Sequence, residues 1–245
     1  MNHFTKNLHK TSRLKSTEAE NTSTAHLLQE ISRDLPEHFF KNIETPLRSD
    51  AFALSPEEKI ARIAVHVKGI LETLGLDLED ESLRDTPLRV AKMYVQETFK
   101  GLDPENEPSI TLFDNSYHYH EMLVEKNITF YSTCEHHLVP IFGKAHVAYF
   151  SSGKVIGLSK LNRLVDHYAR RPQVQERLTI QIAEALKDAL QTSDVAVMID
   201  SAHLCVASRG IRDINSSTIT AEYCGKFRNS DVRREFLSLI AEGRK

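Results

Sequence analysis

The chain has 245 residues, 40% of them hydrophobic, and a net charge of −3. That is enough apolar material for one large or two small globular units, and too little positive charge to point to nucleic acid or an anionic membrane surface as a partner. No run of about 18 apolar residues is present, so no transmembrane helix is expected, and three cysteines are too few for a disulfide framework but suit a reducing compartment, the cytoplasm, where thiolates stay available for metal.

Residues 1–24 are rich in Ser, Thr, Asn and charge and read as a mobile tail. Their cations Lys6, Lys10, Arg13 and Lys15 lead into no apolar run, so a secretory signal is not expected. Residues 25–50 read as a linker with Pro36 and Pro46 and one short helix around Leu27 to Ile31. The tail and linker, 1–50, thus precede a catalytic unit over 51–245, with a helical part at 55–100 and a sheet-containing part at 120–245. Order starts at Ser55-Pro56-Glu57-Glu58, a capping box with Pro at the first helical position. Ile60, Ile63, Ala64, Val67, Leu71 and Leu74 follow at helical spacing, and Gly75 can end the helix. A second helix starts at Thr86-Pro87, carries Val90, Met93 and Val95, and stops before Gly101.

From Val124 the period changes to two. Val124, Ile128 and Phe130 read as one face of a strand, Lys144 to Phe150 as a second, joined through Ser151-Ser152-Gly153 to a third at Val155 to Leu158. A helix from Ser159 places Leu161, Leu164, Val165 and Tyr168 on one side, and Pro172 interrupts it. A longer helix follows with Val174, Leu178, Ile182, Ala185 and Ala189. Val195 to Ile199 is a buried strand that Leu204 to Val206 are expected to continue, Thr218 to Tyr223 another strand, and Phe236, Leu239 and Ile240 mark a closing helix. The order predicts an α+β fold with a largely antiparallel sheet.

The chemistry centres on Cys134-Glu135-His136-His137 and a distant His203-Leu204-Cys205. Cys134 and His137 end a strand just before Pro140, where a turn can bring both side chains to one point. Cys205 can supply a third ligand and leave the fourth position open, the arrangement of catalytic zinc, and thiolates with imidazole favour zinc over calcium or magnesium. His136 and His203 remain beside such a metal as candidate proton carriers. On an extended chain His203 and Cys205 would share a face. A metal-free reading, with Cys134 as nucleophile and His136 as its base, competes with this one. Cys224 has no partner motif, and the His118 and His120 pair reads as surface polarity more readily than as a second metal site.

A second group of residues is cationic. Ser159-Lys160-Leu161-Asn162-Arg163 opens a helix, a natural place for phosphate. Arg209, Gly210 and Arg212 follow the metal cysteine, and Arg89 adds a cation on the second helix. A local positive pocket on a slightly acidic chain points to an anionic substrate. Gln175-Glu176 opens the long helix, where a carboxylate either complements the helix dipole or accepts paired N–H groups from a guanine edge.

Taken together, Asp85 through Met93, Ser132 through His137, Val155 through Arg163, Arg171 through Thr179 and His203 through Asp213 resemble the GTP cyclohydrolase I family, in the right order and over roughly residues 55–243. The resemblance implies a tunnelling fold, a homodecamer with active sites where subunits meet, and one zinc per subunit on Cys134, His137 and Cys205. It implies that Glu176 with Gln175 grips guanine, that Lys160, Arg163 and Arg209 hold the triphosphate, and that Arg89 reaches a neighbouring subunit's site. His136, His203 and Ser159 would serve proton transfers. The implied reaction opens the purine at C8 with hydroxide while His203 protonates the adjacent nitrogen, releases formate, and rearranges the ribose to 7,8-dihydroneopterin triphosphate, the first step of pterin and tetrahydrofolate biosynthesis. A pterin or deazapurine enzyme on the same fold, or a non-catalytic zinc-containing GTP-binding assembly, are the alternatives.

Overall fold

The computed structural model of the chain describes residues 44–241. The expected tail and the short helix around Leu27 to Ile31 lie outside the described residues. The first helix, α1 (Pro56–Thr73), begins as its residues dictate. Ser55 Oγ accepts the Glu58 N–H at 3.2 Å, and the Glu58 carboxylate accepts the Ser55 N–H at 2.8 Å. A cap of this kind stabilises a helix by roughly 1 kcal/mol. Gly75 takes φ 83 just past the end, a conformation that costs glycine little. The apolar stripe is only partly covered: Ile60 is buried, Ile63, Ala64, Val67 and Leu71 are half-buried and Leu74 is exposed, as are Val65 and Ile70 off the stripe. Helix α2 (Thr86–Met93) continues into a wider turn over Tyr94–Thr98.

The main sheet has five strands: β2 (Leu123–Cys134), β3 (Pro140–Tyr149), β5 (Pro172–Gln173), β6 (Val195–His203) and β7 (Thr218–Tyr223), in the order β5-β2-β3-β6-β7. All neighbours are antiparallel except β2 and β5. The remaining strands, β1 (Leu112–Asp114) and β4 (Lys154–Ile156), form a separate antiparallel ribbon. The strand ending near Phe150 and the one at Val155, though joined by a short turn, therefore do not pair with each other. The reason is that β3 has no free edge: Tyr149 is paired with Leu123 on one side and Val195 on the other. The emerging chain pairs instead with β1, a strand that composition alone did not mark.

The expectation that Val124, Ile128 and Phe130 share a face also fails. The β2–β3 register shifts by one residue between Glu125 and Ile128, with Asn127 at φ 62. One extra residue in a bulge moves later side chains to the other face. Ile128 and Phe130 join the main core, whereas Val124 packs against the second cluster around Phe227 and Phe236.

Helices α3 (Leu158–Ala169) and α4 (Gln175–Leu190) cover one face of the sheet. Leu161, Leu164, Leu178, Ile182 and Leu186 meet Val147, Tyr149, Val197 and Ile199 there. The closing helix, whose Phe236 and Ile240 are buried, covers the other face against Ala148, Ala196 and Met198. Alternate residues of β6 thus serve opposite cores. A correction concerns Leu204 to Val206: they lie in a short helical turn, α5 (Leu204–Ala207), and do not extend the sheet. The β3–β6 register ends at Ile141↔His203. The next position on β3 is Pro140, which has no N–H to offer. The closing helix itself, α6, spans Ser230–Ala241.

Two glycines are held by close contact. The Gly101 N–H donates to Arg170 O at 3.0 Å, and a Cβ there would lie 2.0 Å from His167 O, so Gly101 fastens the helical N-terminal part to the end of α3. A Cβ on Gly143 would lie 2.1 Å from Asp200 O. Gly143→Ala is expected to push β3 off β6 and to cost about 1–3 kcal/mol or more in urea denaturation. An unchanged midpoint would mean that the two strands separate without penalty.

Candidate metal centre

Strand pairing brings the two motifs together. Cys134 is the last residue of β2, and the chain turns back at once: Leu138 N–H donates to Cys134 O and Cys134 N–H to Val139 O, both at 2.9 Å. The turn requires a left-handed Leu138, φ 52, which is uncommon outside glycine. On the other side of β3, Ile141 pairs with His203, so α5 carries Cys205 to the same end of the sheet. Gln173 of β5 lies beside Cys134, and α4 begins two residues later.

The ligand atoms of Cys134, His137 and Cys205 all lie within 4.8 Å of one another, and Cys134 Sγ is 3.7 Å from His137 Nδ1. Tetrahedral zinc with Zn–S near 2.3 Å and Zn–N near 2.0 Å places its sulfur and nitrogen ligands about 3.6 Å apart, so the separation fits. Cys134 is buried, Cys205 half-buried and His137 exposed, and no fourth His, Cys, Asp or Glu completes the group among the described residues. The cluster is closed on the sulfur side and open on the imidazole side. Burial pushes the Cys205 thiol above its usual range, the adjacent Cys134 sulfur pushes the same way, and Arg209 pulls against both. A divalent cation between the sulfurs inverts that balance by favouring thiolate, so the donor set suits a metal. His203 and Cys205 do not share a strand face as expected, since Cys205 stands on a helical turn; the two are nevertheless neighbours at one end of the sheet.

His203 is set by Gln175, whose side chain is 2% exposed. Gln175 Nε2 donates to Ile199 O at 3.2 Å and Thr218 O at 2.8 Å. Carbonyls only accept, so the amide orientation is determined, and Oε1 faces Ser201 Oγ at 2.6 Å and His203 Nε2 at 2.7 Å. Oε1 also only accepts, which places the proton of a neutral His203 on Nε2 and leaves Nδ1 basic. Burial lowers the His203 pKa, and the nearby Glu176 carboxylate raises it in part. Gln175 is therefore committed to the fold through its side chain, and only its backbone N–H is available to a ligand. Glu176 is exposed beside it in the first turn of α4, where backbone N–H groups lack helical partners.

His136 sits next to the cluster, its Nδ1 3.9 Å from Cys134 Sγ. Ser159, Lys160 and Arg163 stand on the first turns of α3, with Ser159 and Arg163 exposed. Arg209 is exposed beyond α5 and acts electrostatically on Cys205. Arg89 is exposed on α2 and pairs with Asp85 at 3.5 Å. Among the described residues, no hydrogen bond or ion pair joins Lys160, Arg163 or Arg89 to the cluster. His118 and His120 stack on each other at 6.4 Å and belong to no described metal-binding group. Cys224 is buried and bonds to Glu222 at 3.5 Å. Sequence reasoning missed Ser201 and Arg177. Nothing in the spacing indicates that Arg177, 6% exposed, is buried against Glu135.

A family model described as GTP cyclohydrolase I matches residues 63–241. The GTP cyclohydrolase 1 of Flavobacterium johnsoniae is 62% identical over 203 residues, which is 83% of this chain and 91% of that protein. Those of Yersinia enterocolitica and Vibrio parahaemolyticus are 52% and 53% identical, over 82% and 80% of this chain and 90% of each relative.

The Gln175 network yields a stability test. Gln175→Leu strips a partner from the buried Ser201 hydroxyl and from the buried Ile199 carbonyl, as well as from the part-buried Thr218 carbonyl, and a buried group left unsatisfied costs about 1–3 kcal/mol. A loss of at least about 2 kcal/mol in urea is expected, and a variant as stable as the parent would show that the amide is dispensable to the fold.

Proposed function

The chain belongs to the GTP cyclohydrolase I family, and from that premise we propose how its own residues carry the family's chemistry. The enzyme converts GTP and water to 7,8-dihydroneopterin triphosphate and formate, the entry step to pterins and tetrahydrofolate, on an α+β tunnelling fold. Two hydrolyses consume two waters and ring closure returns one, so the net demand is a single water.

The observation that carries the assignment of roles is the convergence of Cys134, His137 and Cys205 beside His203 and the start of α4. These three side chains would hold one zinc ion per subunit. When bound, zinc supplies a Lewis acid that makes hydroxide accessible near neutral pH. His203, oriented by Gln175, exchanges the proton with the purine nitrogen next to C8 as the imidazole ring opens. Glu176 accepts the paired N–H donors of guanine, and the first-turn backbone N–H groups of Gln175 and Glu176 face its carbonyl oxygen. Lys160, Arg163 and Arg209 hold the triphosphate, which takes no part in bond breaking but positions the reacting carbon, an effect worth several kcal/mol. His136 and Ser159 serve the later proton transfers of the ribose rearrangement.

The site is completed by neighbouring subunits of a homodecamer, Arg89 being given to the triphosphate of an adjacent chain. Two features support this. Among the described residues, Lys160, Arg163 and Arg89 make no bond to the cluster of their own chain, and Ile70 near the end of α1 and Leu74 just past it present exposed apolar side chains on one face that a neighbour would cover. Residues 51–245 would form the catalytic unit. No described helix is long and apolar enough to cross a membrane, and three free thiols suit a cytoplasmic setting.

Incubation with GTP, with and without a chelator, should give formate and a pterin that fluoresces after oxidation only where metal is retained. Cys205→Ser is expected to lose zinc and turnover together, whereas His203→Ala should keep zinc and lose ring opening. Near-normal formate release by the His203 variant would refute the proton-transfer role. Glu176→Ala should weaken discrimination of GTP from ATP by about 1–3 kcal/mol, the worth of a bidentate base contact, read from the ratio of their kcat/KM values. Unchanged discrimination would remove Glu176 from the guanine site.

A further inference from the structure

Glu135 lies between two of the metal-site residues, and its side chain does not point freely into solvent. Its Oε2 accepts a hydrogen bond from Arg177 Nη2, and its Oε1 lies 3.8 Å from His136 Nε2. Arg177 is itself held on every side. Its Nε donates to Gln173 Oε1 at 3.1 Å and its Nη2 also to Pro172 O at 3.1 Å. Gln173 is anchored in turn, donating to Tyr168 O at 2.8 Å and Gln181 Oε1 at 2.7 Å, while the backbone N–H of Glu135 donates to Gln173 O at 3.1 Å. The guanidinium therefore joins three things: strand β5, the first turn of α4 and the turn that runs from Cys134 to His137.

We propose that Arg177 and Glu135 are a positioning pair that holds the Cys134–His137 turn in the geometry a metal requires and fixes the rotation of His136 beside it. The inference rests on the reading of Cys134, His137 and Cys205 as metal ligands. Neither residue donates to the metal. The turn is short and one of its residues is in a left-handed conformation, so with only two backbone bonds closing it it has little else to set the direction of the His137 imidazole. The Glu135 carboxylate, held at its far end by Nη2 of a buried guanidinium that is itself fastened to Gln173 and Pro172, supplies that restraint. Groups that orient metal ligands typically change affinity by about 10–100-fold when removed.

The test measures zinc affinity by chelator competition on the full chain, alongside thermal unfolding. Arg177→Met and Glu135→Gln should each lose zinc to chelator about 10–100-fold more readily than the parent. The double variant should be no worse than the weaker single one, because the two residues act as a unit. Arg177→Lys, which keeps the charge but not the fork, should recover only part of the affinity. Lys187→Met removes an ion pair on the same helix that lies away from the turn and should leave zinc affinity unchanged. If both pair variants hold zinc as tightly as the parent, the pair is merely structural and the proposal falls. If Arg177→Met does not fold, Glu135→Gln, which keeps side-chain shape but replaces the charged acceptor of Arg177 with a weaker neutral one, decides the matter alone. A parent protein that takes up no zinc would instead overturn the metal reading itself, an outcome separate from loss of affinity in the variants.

Discussion

The row that runs from Ser132 through Ile141 to His203, across β2, β3 and β6, is the constraint on which the site depends. It places the end of β2 and the end of β6 on either side of one strand, so that Cys134 and Cys205, 71 positions apart in the chain, face a common point. Strand register is exacting because a slip of one residue reverses every side chain. Here the cores on both faces oppose such a slip: Val195, Val197 and Ile199 are committed to one and Ala196 and Met198 to the other. The Cys134, His137 and Cys205 cluster thus inherits its precision from hydrophobic burial some distance away.

Polar anchoring refines what the sheet positions. Two buried side chains with charge or amide groups, Arg177 and Gln175, lie within the first turn of α4 and reach in different directions, Arg177 to the turn after β2 and Gln175 to the end of β6. Arg177 donates to acceptors alone, and Gln175 donates to two carbonyls that only accept, so neither can reorient without leaving a partner unsatisfied. The helix start is consequently a hub: its interior side chains reach Glu135 and His203 beside the Cys134, His137 and Cys205 cluster, while its exterior carries Glu176 and the first-turn N–H groups toward solvent. One short segment links scaffold to chemistry.

The cationic residues show a different division. Lys160, Arg163 and Arg89 are carried by helices away from the cluster, whereas Arg209 is close enough to bias the Cys205 thiol. A chain with a net charge of −3 can still gather an anionic substrate if positive groups from several surfaces meet.

Much of this was legible from local pattern. The Ser55–Glu58 box, the Thr218–Tyr223 strand and the spacing of Cys134, His136 and His137 are local facts, and caps, alternation and short turns act over a few residues. Cys205 and His203 were singled out from their chemistry, but the reason they reach the cluster lay elsewhere: Pro140 ends the β3–β6 ladder and lets the chain curl into α5. The bulge at Asn127, the β1–β4 ribbon and the burial of Arg177 depended on which edges and cavities distant segments left open. Gln175 shows the division best. Its place beside Glu176 marked it as functional, yet whether its amide faced a base or the protein interior was a matter of competing acceptors on β6 and β7, and only the packed sheet brings those carbonyls within reach of its nitrogen.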